Sequence, residues 1–256
     1  MRKIVAIGGG EIGELETLPI DKKIIKLTGK KNPRVLYIPT AGGDSERWCK
    51  IFQEIYGDKL GCKTDLLLLI KNKDNLTRQE IEKKILTADI IYVGGGDTLL
   101  MLKTWRKLGV DKLLKMAYER GIVLAGLSAG AICWFRYGVS DAVKNPKDEK
   151  LFGRIKCLDM VPVKRSIILS PHHIREKEIR DKSIREIILR IPGVCLAVDD
   201  KVALFVYDEI SSKTKKKILK YEIWRADENL GITKYFKMNG KIEKERILKR
   251  GVLDEV

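Results

Sequence analysis

A single serine stands among glycines and alanines near the middle of the chain. The stretch begins at Val123 with apolar residues, as a buried strand does, and continues Gly126-Leu-Ser128-Ala-Gly130. This is the G-x-S-x-G pattern of a nucleophile elbow, in which a serine on a sharp strand-to-helix turn needs small neighbours. The other interpretation is a small-residue strand–helix junction with an incidental serine. A reactive serine at such a turn would attack a carbonyl carbon and form a covalent intermediate.

A serine nucleophile needs a base that takes its proton, and the chain has two histidines. They are adjacent, His172 and His173, and they follow Pro171 in a loop after a predicted short strand, Ile167–Leu169. A Ser–His enzyme built from this chain must use one of them. The alternative is a surface histidine pair without a catalytic role.

The histidine in turn needs a carboxylate that fixes its tautomer and stabilises the imidazolium. Asp141 is the best candidate by its position in a loop, and Asp159 and Glu11 are weaker ones. The order Ser128, Asp141, His172 is also the Ser…Asp…His order of many hydrolases. We therefore expect Asp141 to be the third member of the site.

An oxyanion intermediate needs two backbone N–H donors. The residue after the nucleophile, Ala129, supplies one of them. The glycine loop Gly94-Gly-Gly-Asp97 follows another predicted strand and can supply the second, for which Gly96 is the best candidate.

Predicted strands and helices alternate along the first half of the chain, which indicates βαβ units and a mostly parallel, doubly wound sheet. The sequence predicts strands at 3–8, 34–39, 64–69, 90–93 and 123–127, and helices at 46–56, 78–88, 98–105, 110–120 and 176–190. In such sheets, ligands bind beyond the carboxyl ends of the strands. We expect four loops to meet there: Gly8–Gly10, Thr40–Gly43, Gly94–Gly96 and the turn at Ser128.

The last third of the chain changes to predicted strand pairs, at 194–198, 202–207, 217–224 and 234–238. The turn Asp199-Asp200 separates the first two, and Asn239-Gly240 lies between the last strand and a basic tail. A charged loop is expected from Lys144 to Lys150. Because no repeat or linker is visible, we expect one α/β domain, residues 1–256, with a C-terminal antiparallel extension.

The glycines Gly8, Gly10 and Gly13 satisfy G-x-G-x-x-G, the dinucleotide-binding fingerprint. The match is weak, because the second strand ends without an acidic residue for a ribose and Pro19 interrupts the helix that should follow. Close approach of two backbones at a strand end is the better interpretation.

The net charge of +16 raises the question of a nucleic-acid partner. The lysines are mostly dispersed, and the two clusters, Lys213–Lys217 and the tail through Lys249-Arg250, contain no stacking aromatic residues. Nucleic-acid binding is therefore disfavoured. The five cysteines form no C-x-x-C pair, so we expect buried thiols and neither disulfides nor a metal site.

No apolar run approaches the roughly 20 residues that span a bilayer. The first residues, Met1–Gly8, reach glycine too early for a secretory signal. We therefore expect a cytoplasmic protein that does not enter a membrane.

Four stretches taken together resemble the dipeptidase E (aspartyl dipeptidase) and cyanophycinase family of serine peptidases. The resemblance runs from Ile4 to about Val206. Its motifs are Ile38-Pro-Thr-Ala-Gly42, Val93-Gly-Gly-Gly-Asp-Thr98, Gly126-Leu-Ser-Ala-Gly-Ala131 and Ser170-Pro-His172. It implies a class I glutamine-amidotransferase-like (flavodoxin-like) α/β fold and a peptidase that needs neither a metal nor a cofactor.

The resemblance also implies a role for each site residue. It makes Ser128 the nucleophile, His172 the base and Asp141 the acid, and Gly96 and Ala129 the oxyanion donors. The expected substrate is a short peptide, and the leading hypothesis is a dipeptide with an N-terminal aspartate. A homodimer is possible.

Family members that cleave after aspartate use an arginine to hold the substrate carboxylate, and Arg175 and Arg180 are the candidates here.

Two rival functions stay open. One is an esterase of the α/β-hydrolase type, although that fold places its histidine late and more than eighty residues follow His172. The other is a catalytically silent member that binds a peptide or a nucleic acid.

Overall fold

The computed structural model describes residues 1–71, 75–211, 215–247 and 250–253. Within these ranges the strands are β1 Lys3–Ile7, β2 Arg34–Ile38, β3 Lys63–Leu66, β4 Ile90–Val93, β5 Val123–Leu127, β6 Tyr137–Asn145, β7 Asp148–Lys156, β8 Ile167–Ser170, β9 Val194–Val198, β10 Val202–Ile210, β11 Lys217–Arg225, β12 Ile232–Met238, β13 Lys241–Ile247 and β14 Gly251–Val252. The α-helices are α1 Leu18–Lys26, α2 Glu46–Phe52, α3 Arg78–Leu86, α4 Thr98–Leu108, α5 Val110–Glu119, α6 Ala129–Ile132 and α7 Lys177–Ile188.

The first sheet has the strand order β14-β11-β10-β1-β5-β4-β2-β3. The five strands from β1 to β3 in this order are parallel, as the alternation of strands and helices predicts. The other three strands extend the sheet in antiparallel fashion beyond β1. The loops after β1, β2, β4 and β5 therefore lie at one edge of the sheet.

A second sheet has the order β13-β12-β9-β8-β6-β7, in which only β8 runs parallel to its two neighbours. The sequence predicts a charged loop at Lys144–Lys150, but these residues belong to the hairpin of β6 and β7. Charged side chains on the outer strand of this hairpin conceal its strand pattern. Close contact with β6 also requires Gly153, because a Cβ there would lie 2.5 Å from the Val143 carbonyl oxygen.

The predicted turn at Asn239-Gly240 joins β12 to β13, and both residues have the positive φ angles of a tight hairpin turn. The basic tail expected after it begins as the strand β13. Of the two basic clusters singled out in the sequence, residues 213, 214 and 249 lie outside the described residues.

Helices cover both faces of the parallel strands. Ile20 and Ile24 of α1 and Phe52 of α2 pack on one face, and Trp105 of α4 and Leu114 of α5 are buried on the other. A smaller core lies between the second sheet and α7. All five cysteines are buried free thiols, as predicted.

Within the ranges given above, no helix combines the length and the apolar composition required to cross a membrane.

Candidate active site

Ser128 lies at the sharp turn between β5 and α6, with φ 57° and ψ −113°. Its N–H donates to the Ile7 carbonyl oxygen at 3.1 Å, which fixes the turn against β1. Side chains have no space on either side of it: a Cβ at Gly126 would lie 2.3 Å from the Gly130 oxygen, and a Cβ at Gly130 would lie 2.2 Å from the Val93 oxygen. The flanking glycines are therefore steric requirements of this turn.

His172 faces Ser128 from the loop after β8. Its Nε2 lies 2.9 Å from Ser128 Oγ, and its N–H donates to the Gly8 carbonyl oxygen at 3.0 Å. The backbone of His172 has φ 51°, an unusual value for a residue with a side chain. The loop after β8 of the second sheet thus places His172 at the edge of the first sheet, beside Ser128.

Asp200 completes a chain of hydrogen bonds. It lies in the turn between β9 and β10, and its Oδ1 is 2.6 Å from His172 Nδ1. The next residue, Lys201, donates its N–H to the Gly9 carbonyl oxygen at 2.9 Å. The hydrogen-bonded chain Ser128–His172–Asp200 can pass a proton from a hydroxyl to an imidazole whose other nitrogen is held by a carboxylate.

The first glycine run makes room for this pair. A Cβ on Gly9 would lie 1.8 Å from Asp200 Oδ1 and 2.3 Å from His172 Nδ1. A Cβ on Gly8 would lie 2.3 Å from the Asp199 carbonyl oxygen. The glycines that resemble a dinucleotide fingerprint therefore permit close approach of the β9–β10 turn, and α1 begins only at Leu18.

The loop after β4 packs against the serine from the other side. A Cβ on Gly95 would lie 3.2 Å from Ser128 Cβ, whereas one on Gly96 would lie 2.2 Å from the Ala41 oxygen. The loop is anchored at both ends, because Gly94 N–H donates to Ile38 O and Asp97 N–H to Ala41 O. Sequence reasoning named Gly96 but did not single out Gly95 as the glycine that adjoins the serine.

Beside the serine, α6 is only four residues long, and its first residue is Ala129. The N–H groups of Ala131 and Ile132 both donate to the Ser128 carbonyl oxygen. The N–H of Ala129 is thus at the start of the helix, next to the serine hydroxyl. A helix this short contributes little macrodipole, so individual N–H groups matter more than the helix as a whole.

A cavity of about 270 Å³ opens beside Ser128 and His172. Its lining is mostly aromatic and aliphatic side chains together with the glycine loops. The lining residues are Gly10, Glu11, Ile12, Tyr37, Pro39, Gly42, Ser45, Trp48, Tyr92, Gly94, Gly95, Gly96, Leu127, Ser128, His172 and Arg175.

Arg175 is the cation of this cavity. Its side chain is 53% exposed, and its Nη2 lies 2.7 Å from His172 Nδ1 and 3.7 Å from Asp200 Oδ1. One imidazole nitrogen cannot both donate to Asp200 and accept from Arg175. The guanidinium is therefore held only weakly beside His172, and it can rotate to pair with an anionic ligand in the cavity.

The sequence profile of peptidase family S51 matches residues 4–213. The chain belongs to peptidase family S51. A Bacillus subtilis (strain 168) protein named as the uncharacterized peptidase YgaJ is 32% identical over 212 residues, which are 82% of this chain and 86% of that protein. The Listeria monocytogenes uncharacterized peptidase Lmo0363 is 35% identical over 100 residues, which are 38% of this chain and 46% of that protein.

Two solved structures share the fold of this S51 chain. A peptidase from an acI-B1 actinobacterium superposes with a TM-score of 0.66 and 20% identity, covering 99% of this chain and 97% of its own. A Listeria monocytogenes EGD-e protein provisionally described as peptidase E gives a TM-score of 0.58 and 19% identity, covering 86% and 98%. The resemblance drawn from the four sequence motifs is thereby confirmed at the level of the family.

The structure of this S51 chain corrects the prediction for the acid. Asp141 is an exposed residue of β6 in the second sheet. Asp200 occupies the position beside His172. Asp141 lies instead close enough to Arg180 for their charges to interact. A signal for Asp200 existed in the sequence, since the Asp199-Asp200 turn follows a strand, but an aspartate in a turn is usually explained by the turn itself.

The structure also corrects the prediction that Arg180 holds the substrate carboxylate, because Arg180 does not line the cavity. It is buried within α7, where its guanidinium donates to Glu176 at 2.6 and 2.8 Å and to the Val139 carbonyl oxygen at 2.9 Å, and lies over the Phe152 ring. Burial lowers the pKa of Arg180, and Glu176 opposes that shift. Of the two predicted arginines, only Arg175 lines the S51 cavity.

The second histidine points away from the serine. His173 Nδ1 lies 3.2 Å from Asp199 Oδ1, and its Nε2 lies 2.9 Å from Asp181 Oδ1 and 3.1 Å from the Tyr235 hydroxyl. Arg246 donates to the other oxygen of Asp199 at 2.6 Å. Although burial acts to raise the pKa of Asp199, hydrogen bonds from His173, the Gly231 N–H and Arg246 hold it below its ordinary value.

Proposed function

We propose that this S51 protein is a serine peptidase that hydrolyses short peptides through Ser128, His172 and Asp200. The observation that carries the proposal is the hydrogen-bonded chain from Ser128 Oγ through both nitrogens of His172 to Asp200 Oδ1. It lies at the mouth of a cavity, at a turn whose geometry fits a nucleophile elbow. The family match supports peptide hydrolysis.

In the proposed reaction, Ser128 Oγ attacks the carbonyl carbon of the peptide bond while His172 Nε2 takes its proton. Asp200 accepts the Nδ1–H hydrogen bond and stabilises the imidazolium that forms. The Ala129 and Gly96 N–H groups donate to the oxyanion. His172 then gives its proton to the leaving amine, and the acyl-enzyme is hydrolysed by water with His172 acting again as the base.

The cavity supports a short substrate. Its 270 Å³ is below the roughly 300–1,000 Å³ of usual small-molecule sites, so an extended peptide has little room. Arg175 lines the cavity and can leave His172 to pair with a carboxylate. We therefore propose dipeptides with an N-terminal aspartate as the preferred substrates.

Four further properties belong to the proposal: the fold class, the partner, the location and the oligomeric state. The parallel strands with helices on both faces support a class I glutamine-amidotransferase-like (flavodoxin-like) fold. Dispersed surface lysines favour a small peptide partner over a nucleic acid. We also propose a cytoplasmic location and a homodimer, which cell fractionation and light scattering can test.

The test is hydrolysis of Asp-Leu, Glu-Leu, Ala-Leu and Leu-Leu by the wild type and by Ser128→Ala. We expect serine-dependent cleavage that is fastest for Asp-Leu. A matched aspartyl ester separates peptidase from esterase activity, because a peptidase cleaves the amide and an esterase cleaves only the ester. Equal rates for the wild type and Ser128→Ala would contradict the proposal.

A further inference from the structure

A second cavity, of about 800 Å³, lies at the edge of the second sheet that is opposite to His172. Three of its lining residues mark this edge: Tyr137 is the first residue of β6, Ser166 directly precedes β8, and Gly193 directly precedes β9. Because β6 and β9 both run parallel to β8, these three strands begin at the same edge. His172 follows the other end of β8, a strand about 13 Å long. The cavity is therefore separate from the one beside Ser128.

Five exposed cationic side chains line this cavity, which we call the basic cavity. They are Arg136, Lys164, Arg165, Arg190 and Lys237. Among the described residues, no Asp or Glu belongs to its lining. The five cations come from four separate segments of the chain, so the sequence shows no cluster and only the fold brings them together. A concave surface lined by one sign of charge attracts ligands of the opposite sign.

Neighbouring carboxylates neutralise only part of this charge. Arg136 Nε lies 2.9 Å from Asp159 Oδ2, and Arg190 Nη2 lies 2.9 Å from a glutamate one turn earlier in the chain. Both are partly exposed ion pairs, which contribute little free energy and can be exchanged for a ligand. Arg165 and Lys237 form no ion pair within the described part of the chain. Positive charge therefore exceeds negative charge around the basic cavity.

A smaller cavity of about 280 Å³ adjoins the basic cavity and has the same charge. Arg190 and Ile191 line both cavities. The smaller one adds Lys144 and Arg154, and here too the lining contains no described Asp or Glu. The Arg154 guanidinium carbon lies 4.4 Å from the centre of the Tyr137 ring, which lines the basic cavity. The two cavities thus form one continuous basic surface.

The size of the basic cavity and its density of charge favour a small phosphorylated ligand over an acidic peptide. A volume of 800 Å³ lies within the roughly 300–1,000 Å³ of small-molecule sites. Carboxylates on one face of an extended peptide recur about 6.8 Å apart, whereas consecutive groups of a polyphosphate share an oxygen atom. Three of the five cations are arginines, whose planar guanidinium groups bind phosphate oxygens in pairs.

We propose that the basic cavity binds a small molecule that carries two or more linked phosphate groups. A free polyphosphate chain and a nucleoside triphosphate share this chemistry. Arg136, Arg165 and Arg190 donate to the phosphate oxygens, and the Lys237 ammonium group adds a point charge. Because Ser128 takes no part, this site is independent of the proposed peptidase reaction.

Calorimetry at about 0.15 M salt, where long-range attraction is screened, tests the proposal. The ligands are tripolyphosphate, ATP and AMP. The cavity variant is Arg165→Ala/Lys237→Ala, and the matched control is Lys115→Ala/Arg120→Ala, which removes the same charge from exposed positions in and directly after α5. All four positions are exposed, so both variants should unfold at the wild-type temperature.

The wild type and the control should bind tripolyphosphate and ATP equally well, and the cavity variant should bind both at least about tenfold more weakly. AMP, with one phosphate, should bind the wild type at least about tenfold more weakly than ATP. Tighter binding of ATP than of tripolyphosphate would identify a nucleotide as the ligand, and the reverse would identify a free chain. No binding of either, or an equal loss in both variants, would overturn the proposal.

Two further ligands test the alternatives of a peptide and an RNA. Hexa-aspartate and tetra-uridylate, whose charges are farther apart, should bind the wild type more weakly than tripolyphosphate does. Tighter binding of either would replace the proposed ligand with an acidic peptide or an RNA. Ser128→Ala should bind tripolyphosphate with the wild-type Kd, and excess Asp-Leu should not displace it. Displacement by Asp-Leu would place the phosphates in the cavity beside Ser128 and overturn the proposal.

Discussion

Two histidine–aspartate pairs stand side by side in this protein, built from adjacent residues of the same two loops. His172 pairs with Asp200, and His173 pairs with Asp199. The first pair reaches Ser128 and the cavity. The second is buried among Asp181 of α7, Tyr235 of β12 and Arg246 of β13.

The difference lies in what the second ring nitrogen contacts. His172 Nε2 faces a hydroxyl whose proton it can accept. His173 Nε2 faces the Asp181 carboxylate and the Tyr235 hydroxyl, so it is not placed beside a serine hydroxyl whose proton it could take. One step along the chain therefore separates a histidine suited to proton transfer from one that joins α7 and the two loops.

Replacing each histidine by alanine should show the difference between the two histidine–aspartate pairs most clearly. His172→Ala should lower kcat for Asp-Leu by about 10⁴-fold or more, since Ser128 loses the base that we propose for it. His173→Ala should lower kcat less than about tenfold. Steady-state kinetics with equal concentrations of folded protein measures kcat for both variants. A larger loss in His173→Ala than in His172→Ala would show that His173 is the base.

The same two variants should differ in stability in the opposite sense. His173→Ala leaves the carboxylates of Asp199 and Asp181 without their shared partner, which should cost about 3 kcal/mol of unfolding free energy. His172→Ala removes a partly exposed side chain and should cost less. Urea denaturation measures both, and a stable His173→Ala variant would argue against a joining role for His173.

Asp200→Asn should lower kcat by about 10³- to 10⁴-fold, because an amide does not hold the His172 tautomer as a carboxylate does. Asp141→Asn is the matched control and should keep wild-type kcat, since Asp141 lies on β6 away from His172. A large loss in the control with little loss in Asp200→Asn would restore Asp141 as the acid.

Gly9→Ala should lower kcat about 10²-fold, because the added methyl group displaces Asp200 and His172 from each other. Gly13→Ala is the control. Its methyl group would contact only the Ile51 side chain, with Cγ2 at 3.3 Å and Cδ1 at 3.7 Å, and should have little effect on kcat. Equal activities of these two variants would show that the first glycine run does not shape the site.

The smallest effect concerns acid stability. The pKa of Asp199 is lowered in the folded protein, so its contribution to stability is complete above about pH 4 and is lost as the pH falls toward the lowered value. Asp199→Asn should flatten this part of the stability curve, whereas Asp58→Asn, at an exposed position, should not. Thermal unfolding between pH 2 and 6 tests this, and parallel curves for the wild type and Asp199→Asn would contradict it.

The sequence predicted the elements that obey strong local rules. The parallel strands were recognisable from short apolar runs, of which β1 and β4 are followed by glycines. The predicted helix at 78–88 is present as α3, whose first turn is closed by a capping box between Thr77 and Glu80. Ser128 could be singled out because its small neighbours are a steric necessity. The choice of base could be narrowed to His172 or His173 because the chain has two histidines.

Other features depend on contacts distant in sequence. Asp200 meets His172 only because β8 and β9 pair in parallel, and this pairing has no local signal. Tyr92 is predicted as a core residue of an apolar strand, and no local pattern reveals that its hydroxyl has no hydrogen-bond partner among the described residues. The hairpin of β6 and β7 and the strand β13 carry many charges, which concealed them among predicted loops.

The most direct measurement is labelling of Ser128 by a fluorophosphonate, followed by mass spectrometry of the modified peptide. We expect one phosphonylated residue, Ser128, with rapid labelling in the wild type and in His173→Ala, and labelling slowed by at least about 10³-fold in His172→Ala. Labelling of another residue, or equal labelling rates in the two histidine variants, would contradict it.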